Sequence, residues 1–265
     1  MAARTLSRGH RQLRSRDERL ATASPSGILR RVRRRLPPSP RALAYRALRS
    51  AAERWLRRPR TSRFGGLTLV APPGVFHPGV FFSTRAMVDW LGRQPLAGLR
   101  VLDLGSGSGA LGIAAARGGA HVTAVELNPL AQVATLDNAA RNDVRVHLVA
   151  GDGLAALPPD ARFDLLMSNP PWFEGEAEDA AALAFRAGTG LRFLHALFEQ
   201  APRHLAAEGR LITVLGASAD FDAIAAIAAR YGAWPESLER RRVGWEWQRI
   251  DQWRYDAADG PGYQS

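Results

Sequence analysis

Beyond residue 99 the chain alternates two hydrophobic periodicities, and this alternation constrains its fold more than any other feature. Short apolar runs at 101–104, 121–127, 144–149, 163–167 and 210–215 are separated by stretches of helical spacing at 110–117, 130–141, 191–205 and 221–231. Strands that alternate with helices of this length can pair only in parallel, with the helices packed on both faces of the sheet. After the last helix, 238–243 and 247–255 carry charged or aromatic residues at alternate positions, which predicts a closing antiparallel pair of edge strands. The expectation is therefore an α/β fold on a seven-stranded, mostly parallel sheet. No internal repeat is visible.

Composition sets the limits around that core. With 265 residues, 46% of them hydrophobic and 23% charged, the chain can build one large domain with an appendage. It contains no cysteine, so disulfides, thiolate nucleophiles and Cys-based zinc sites are excluded. His121, His147, His195 and His204 lack the spacing of ligands, so no metal is expected. No run of about eighteen apolar residues occurs and the opening decapeptide has no apolar centre, so neither a membrane span nor a secretory signal is expected. The expected location is the cytoplasm.

Charge divides the chain. Residues 1–60 hold eighteen arginines against Asp17, Glu18 and Glu53, a net of +15, whereas the remainder is at −4. Every basic residue is arginine, which alongside heavy Ala, Gly and Pro usage looks like GC-rich coding. The basic stretch therefore supports a nucleic-acid partner only in part. Residues 1–38 read as a disordered Arg-rich arm, and an organelle transit peptide or a mis-assigned start codon would have the same composition. Ser39 and Pro40 open an amphipathic helix within 39–60, with Tyr45, Leu48, Ala52 and Trp55 on one face. Residues 61–98 form a turn-rich or hairpin entry segment on the substrate side, with His77 and Pro78 in a surface turn. Residues 99–257 form the core and 258–265 a flexible tail. Trp234, Trp245, Trp247 and Trp253 read as strand-face core.

The first core strand ends in VLDLGSGSGALG, where Gly107, Gly109 and Gly112 spell G-x-G-x-x-G and Glu126 closes the next strand. This is the signature of a Rossmann-like nucleotide site, where glycine permits close backbone approach. A nicotinamide cofactor and S-adenosylmethionine both fit that description, and Glu126 could bind the ribose of either. Asp103, just before the first glycine, separates them: its carboxylate can reach a cationic methionine amino group but repels a pyrophosphate. The chain also lacks the Lys or Cys on which dehydrogenases commonly rely. The fourth core strand runs directly into Asn169-Pro170-Pro171-Trp172.

With DLGSGSG, VELNP, the Gly151-Asp152 pair and SNPPWFEG in this order, the sequence resembles the class I S-adenosylmethionine-dependent methyltransferases over about 75–255. Within them it is similar to the amino methyltransferases with an NPP-aromatic motif. These are the "methyltransferase small" group of rRNA guanine and tRNA adenine enzymes, and the HemK-type enzymes that methylate a glutamine amide of release factors. The resemblance implies that Asp103, Gly105, Gly107 and Gly109 cradle the methionine part, that Glu126 holds the ribose, that Asp152 contacts the adenine amino group, and that Asn169 borders the cofactor. The 75–91 segment resembles the entry segment of both groups only loosely.

The NPPW residues suit one chemical problem. An amide or exocyclic nitrogen has its lone pair delocalised, and something must draw that pair out. The Asn169 side-chain oxygen can accept one N–H and the Pro170 carbonyl the other, while two prolines without N–H groups fix the backbone. Rate then comes from positioning, without a strong general base. Trp172 offers a flat face on which a base or amide can stack. The expected function is N-methylation of a planar nitrogen, with an RNA base as first choice and a protein glutamine as alternative. A non-catalytic RNA-binding or assembly scaffold with the same fold is the reading of a different class, and a dehydrogenase comes third.

Overall fold

The computed structural model describes residues 58–79, 82–179 and 181–255. The expected arm, most of the 39–60 helix and the 258–265 tail lie outside the described residues. Arg60, placed at the end of that expected helix, is the first residue of a strand.

In chain order the elements are β1 (Arg60–Phe64), β2 (Leu67–Ala71), α1 (Phe82–Leu91), β3 (Arg100–Leu104), α2 (Ala110–Arg117), β4 (His121–Glu126), α3 (Pro129–Arg141), β5 (His147–Ala150), β6 (Phe163–Ser168), α4 (Arg192–His204), β7 (Leu205–Gly216), α5 (Phe221–Ala229), β8 (Ala233–Val243) and β9 (Glu246–Tyr255). β1 and β2 form a separate antiparallel hairpin, and the other strands make one seven-stranded sheet in the order β5-β4-β3-β6-β7-β9-β8. Parallel pairing runs from β5 to β7, and β9 is antiparallel to both β7 and β8.

Alternation along the inner strands builds two cores. Val101, Leu165, Met167, Ile212 and Val214 face Met87, Val88 and Leu91 of α1 and Ile113 of α2 on one side. Their neighbours Leu102, Leu104, Leu166, Leu211 and Leu215 face Leu194, Leu197 and Phe198 of α4 and Ile224 of α5 on the other. These β-rich runs read as continuously apolar because both sides of each strand are buried.

Four expectations need correction. The entry segment is a hairpin followed by a helix, α1, which has no acidic first turn to announce it. The closing pair is not a pair of edges: β9 lies inside the sheet, with Gln248, Asp251, Gln252 and Trp253 at most 4% exposed. Burial of polar groups there is partly offset by partners on neighbouring strands, as when Trp253 Nε1 donates to Thr213 Oγ1 at 2.9 Å. Of the four C-terminal tryptophans only Trp253 is core; Trp234, Trp245 and Trp247 are 43%, 78% and 55% exposed. His77 is likewise buried rather than on a surface turn, and burial lowers its pKa.

The hairpin is held by a helix. Asn138 of α3 and Asn142, which caps that helix, each use both ends of the amide: Val70 N donates to Asn138 Oδ1 at 2.8 Å while Asn138 Nδ2 donates to Val70 O at 2.9 Å. Asn142 treats Thr68 the same way, at 2.9 and 2.8 Å. Four residues of helix rise about 6 Å and two residues of strand about 6.8 Å, so amides at i and i+4 meet every second residue of β2.

Candidate functional site

Strand register assembles the site. Leu104 is level with Val125 on β4 and with Ser168 on β6, and Glu126 is level with Ala150 on β5. The loops that follow, with Gly105, Asn169 and Gly151, therefore leave the sheet side by side. Successive connections diverge to either side of β3, and such a switch point opens a crevice beyond the carboxyl ends of the strands. A cleft of about 310 Å³ lies there, bordered by Gly105, Gly107, Glu126, Asp152 and Asn169 among others.

The glycine loop is shaped by its own hydrogen bonds. Gly105, Gly107 and Gly109 have φ of 75°, 57° and 79°. A methyl group added at Gly105 would meet no protein atom within 4 Å, whereas at Gly109 it would lie 3.1 Å from Thr135 of α3. Gly105 thus faces the cleft, and Gly109 lets α2 pack close to α3. Glu126 braces the turn: its Oε2 accepts from Gly107 N at 2.7 Å and its Oε1 from Asn128 N at 2.8 Å. Thr135 Oγ1 donates to Gly107 O at 3.2 Å, and Asn138 Nδ2 reaches Ser108 O at 2.9 Å. Thr135 and Asn138 were not singled out by sequence reasoning. Their spacing from the glycine loop is long, and no local pattern marks a helix face that supports a neighbouring turn.

Asp103 and Gly109 stand behind the cleft rather than on its wall. Asp103 is 1% exposed, and its Oδ2 accepts from Gly112 N at 2.8 Å. Burial, with the Glu126 carboxylate as a lesser cause, pushes its carboxyl up to about 7. Asp152 is exposed at the cleft edge, at the start of the 3₁₀ turn Gly153–Ala156.

On the β6 side a second cavity, of about 350 Å³, adjoins the cleft and shares Asn169 and Pro171 with it. Pro170 and Trp172 line this second cavity together with Phe82, Phe173, Phe185, Trp245 and Gln248. Asn169 Nδ2 is 3.4 Å from Thr84 Oγ1 of α1, and Asn169 Oδ1 is buried with no hydrogen-bond partner; Trp172 Nε1 is in the same condition. Past Trp172 the chain folds back on itself, with Phe173 N donating to Phe185 O at 3.0 Å and Ala187 N to Phe173 O at 2.8 Å. Thr84 and Gln248 escaped sequence reasoning because each reaches the site from an element far away in the chain.

A carboxylate-edged cleft over a glycine turn, next to an asparagine with its acceptor bare, is chemically suited to a cationic nucleoside and a nitrogen acceptor. The family model of the methyltransferase small domain matches residues 66–234. The chain belongs to the methyltransferase small domain family. It is 35% identical over 167 residues to the ribosomal protein L11 methyltransferase of Methylococcus capsulatus, covering 56% of each chain. It is 34% identical over 169 residues to the release factor glutamine methyltransferase of Geobacter sulfurreducens, covering 59% of this chain and 58% of the other. The chain thus spans a little over half the length of these curated relatives. Among solved structures, the 16S rRNA N2 methyltransferase of T. thermophilus, in complex with AdoMet and guanosine, superposes with a TM-score of 0.56 at 24% identity, over 74% of this chain and 50% of that one. This last likeness concerns the fold.

The cofactor of this methyltransferase family is S-adenosylmethionine, and the cleft fits it. Gly105 leaves room where a Cβ would intrude, and Glu126 and Asp152 supply negative charge at its edge. Among the described residues no group of three His, Asp or Glu gathers to hold a metal ion, and no helix is long and apolar enough to cross a membrane.

Proposed function

We propose that this methyltransferase-family chain methylates a planar amino or amide nitrogen, and that its acceptor is the exocyclic amine of an RNA base. The observation that carries the reading is Asn169: its side chain borders both the cleft and the aromatic cavity, and its Oδ1 is buried without a partner. A buried acceptor left bare is costly unless something donates to it.

Gly105, Gly107, Glu126 and Asp152 would hold the cofactor, with Asp103 and Gly109 supporting the loop from behind. When bound, S-adenosylmethionine supplies an electrophilic methyl on a sulfonium. Asn169 Oδ1 accepts one hydrogen of the acceptor nitrogen and the Pro170 carbonyl the other, which turns the nitrogen lone pair out of conjugation. Pro170 and Pro171 have no N–H with which to distort that arrangement. Thr84 Oγ1 accepts from Asn169 Nδ2, and the amide oxygen is the end left without a partner. The gain is one of positioning: the nitrogen bonds the methyl as the sulfonium C–S bond breaks, and the methylated nitrogen then gives up its proton to solvent without needing a strong base in the site.

An aromatic-lined cavity favours a base, which can stack on Phe173. One observation favours a protein glutamine instead: the loop after the motif carries Glu174, Glu176, Glu178 and Asp179, which repel phosphate. The likeness to release factor glutamine methyltransferases points the same way. Incubation with methyl-labelled S-adenosylmethionine and total cell extract, followed by ribonuclease or protease, separates the two. The expected label is released by ribonuclease. Label released only by protease assigns the acceptor to protein, and no label in either polymer overturns the proposal.

A further inference from the structure

The aromatic cavity holds one more polar group that the methylation chemistry does not use. Gln248, from the middle of the buried strand β9, is 1% exposed and lines the cavity. Its Nε2 donates to Glu246 Oε2 at 3.0 Å. Only the nitrogen end of an amide can donate to a carboxylate, so Glu246 fixes which way Gln248 faces. Gln248 Oε1 is buried and has no hydrogen-bond partner. The backbone leaves room for this pair: a methyl group added at Gly216, on the neighbouring β7, would lie 2.8 Å from Glu246 Oε1 and 3.5 Å from Gln248 Oε1.

Three residues that line the cavity therefore each carry a buried, unpartnered polar atom of fixed character: two acceptors, Asn169 Oδ1 and Gln248 Oε1, and one donor, Trp172 Nε1. We propose that Gln248 is a specificity-determining residue, held by Glu246, that selects acceptors carrying a second N–H on the ring atom next to the methylated amine. This rests on the base-methylating reading above. The chemistry discriminates among bases. A guanine edge offers its amino hydrogens, then a ring N–H, then a carbonyl oxygen, which answer Asn169, Gln248 and Trp172 in turn. Adenine and cytosine present a bare ring nitrogen beside the amine, which would set one acceptor against Gln248 Oε1. Sites built to hydrogen-bond a polar group discriminate strongly because a mismatched ligand leaves buried groups unpaired.

The test uses the full chain saturated with S-adenosylhomocysteine, with guanosine, adenosine, cytidine and a glutamine-containing peptide as probes in titration calorimetry. Guanosine is expected to bind at least about tenfold more tightly than adenosine or cytidine, as expected for one mismatched buried hydrogen bond. Gln248→Leu should erase that preference, and Glu246→Ala should weaken it by freeing the amide to rotate. S-adenosylhomocysteine affinity, measured on each variant, should stay unchanged and reports that the variant is folded. Gln248→Asn serves as a milder variant should Gln248→Leu fail that control. Adenosine or cytidine binding as tightly as guanosine, or a preference that persists without the Gln248 oxygen, overturns the role of Gln248 while leaving a base acceptor standing. Binding of the peptide with no nucleoside bound overturns the base reading and this inference with it, as does no binding by any probe.

Discussion

The two halves of the site are built on opposite terms. On the side of β3 to β5, the Glu126 carboxylate oxygens, the Thr135 hydroxyl and the Asn138 amide are engaged with the glycine loop or its neighbours. That half is a backbone shape held rigid. On the side of β6 and β9, Asn169, Trp172 and Gln248 each keep a buried polar atom without a partner, surrounded by aromatic rings. That half carries unmet hydrogen-bonding capacity, which is where recognition energy is available. The glycine loop is held largely by the protein's own groups, although Asp103 Oδ1 behind it is buried without a partner, and the other half is completed by what binds.

Substitutions can break this contrast. The largest effect is expected at Asn169. Asn169→Ala removes the bare acceptor but touches nothing in the glycine loop, so methyl transfer should fall by about a hundredfold or more while S-adenosylhomocysteine binding measured by calorimetry stays near normal. A loss of binding equal to the loss of rate would show that the two halves are not separable. Next comes Gly107→Val. A residue with a branched side chain at φ 57° distorts the turn, and the melting-temperature rise with ligand should vanish. In the unaltered chain that stabilisation is about 2.7 kcal/mol at a hundredfold excess over Kd, and Gly107→Val retaining it would refute a role for the turn.

Asn138→Ala tests how the finished half is supported. It removes hydrogen bonds to Val70 and Ser108 together, and a cost of about 1–3 kcal/mol is expected in denaturant unfolding. The hairpin and the glycine loop should loosen in hydrogen exchange. The remaining effect concerns pH. Because burial raises the Asp103 carboxyl to about 7, the folded chain takes up a proton that the unfolded chain does not hold until near 4. The associated stability is fully present below about 4 and is lost as pH rises through about 7. Asp103→Asn should flatten the melting profile across that window, and an unchanged profile would place the raised pKa elsewhere.

The same contrast explains what was legible in the sequence. The strand and helix alternation fixed the sheet, because its inner strands are buried on both faces and their apolar runs are unbroken. The glycine loop and Asn169 were legible because each is a contiguous motif at the end of a strand. Thr84, Gln248 and Asn138 were not, since their roles depend on which distant element each packs against. β9 was misread as an edge for a related reason: Thr213 on β7 satisfies Trp253, and no pattern within β9 itself announces a partner on another strand. Asp103, expected at the ligand from its place before the first glycine, is buried, with one carboxyl oxygen accepting from Gly112 N and the other without a partner.

The paired amides of α3 have one more consequence. A two-stranded hairpin standing apart from the main sheet would ordinarily expose its outer backbone edge, a row of donors and acceptors ready to recruit a strand from another molecule. Asn138 and Asn142 occupy the outward-facing groups of Val70 and Thr68, so the helix stands in for a third strand without being one. The β2 edge is thereby closed to intermolecular β-pairing by two side chains, and a chain that lost both would meet its own copies through the hairpin that leads into the cleft wall at Gly74.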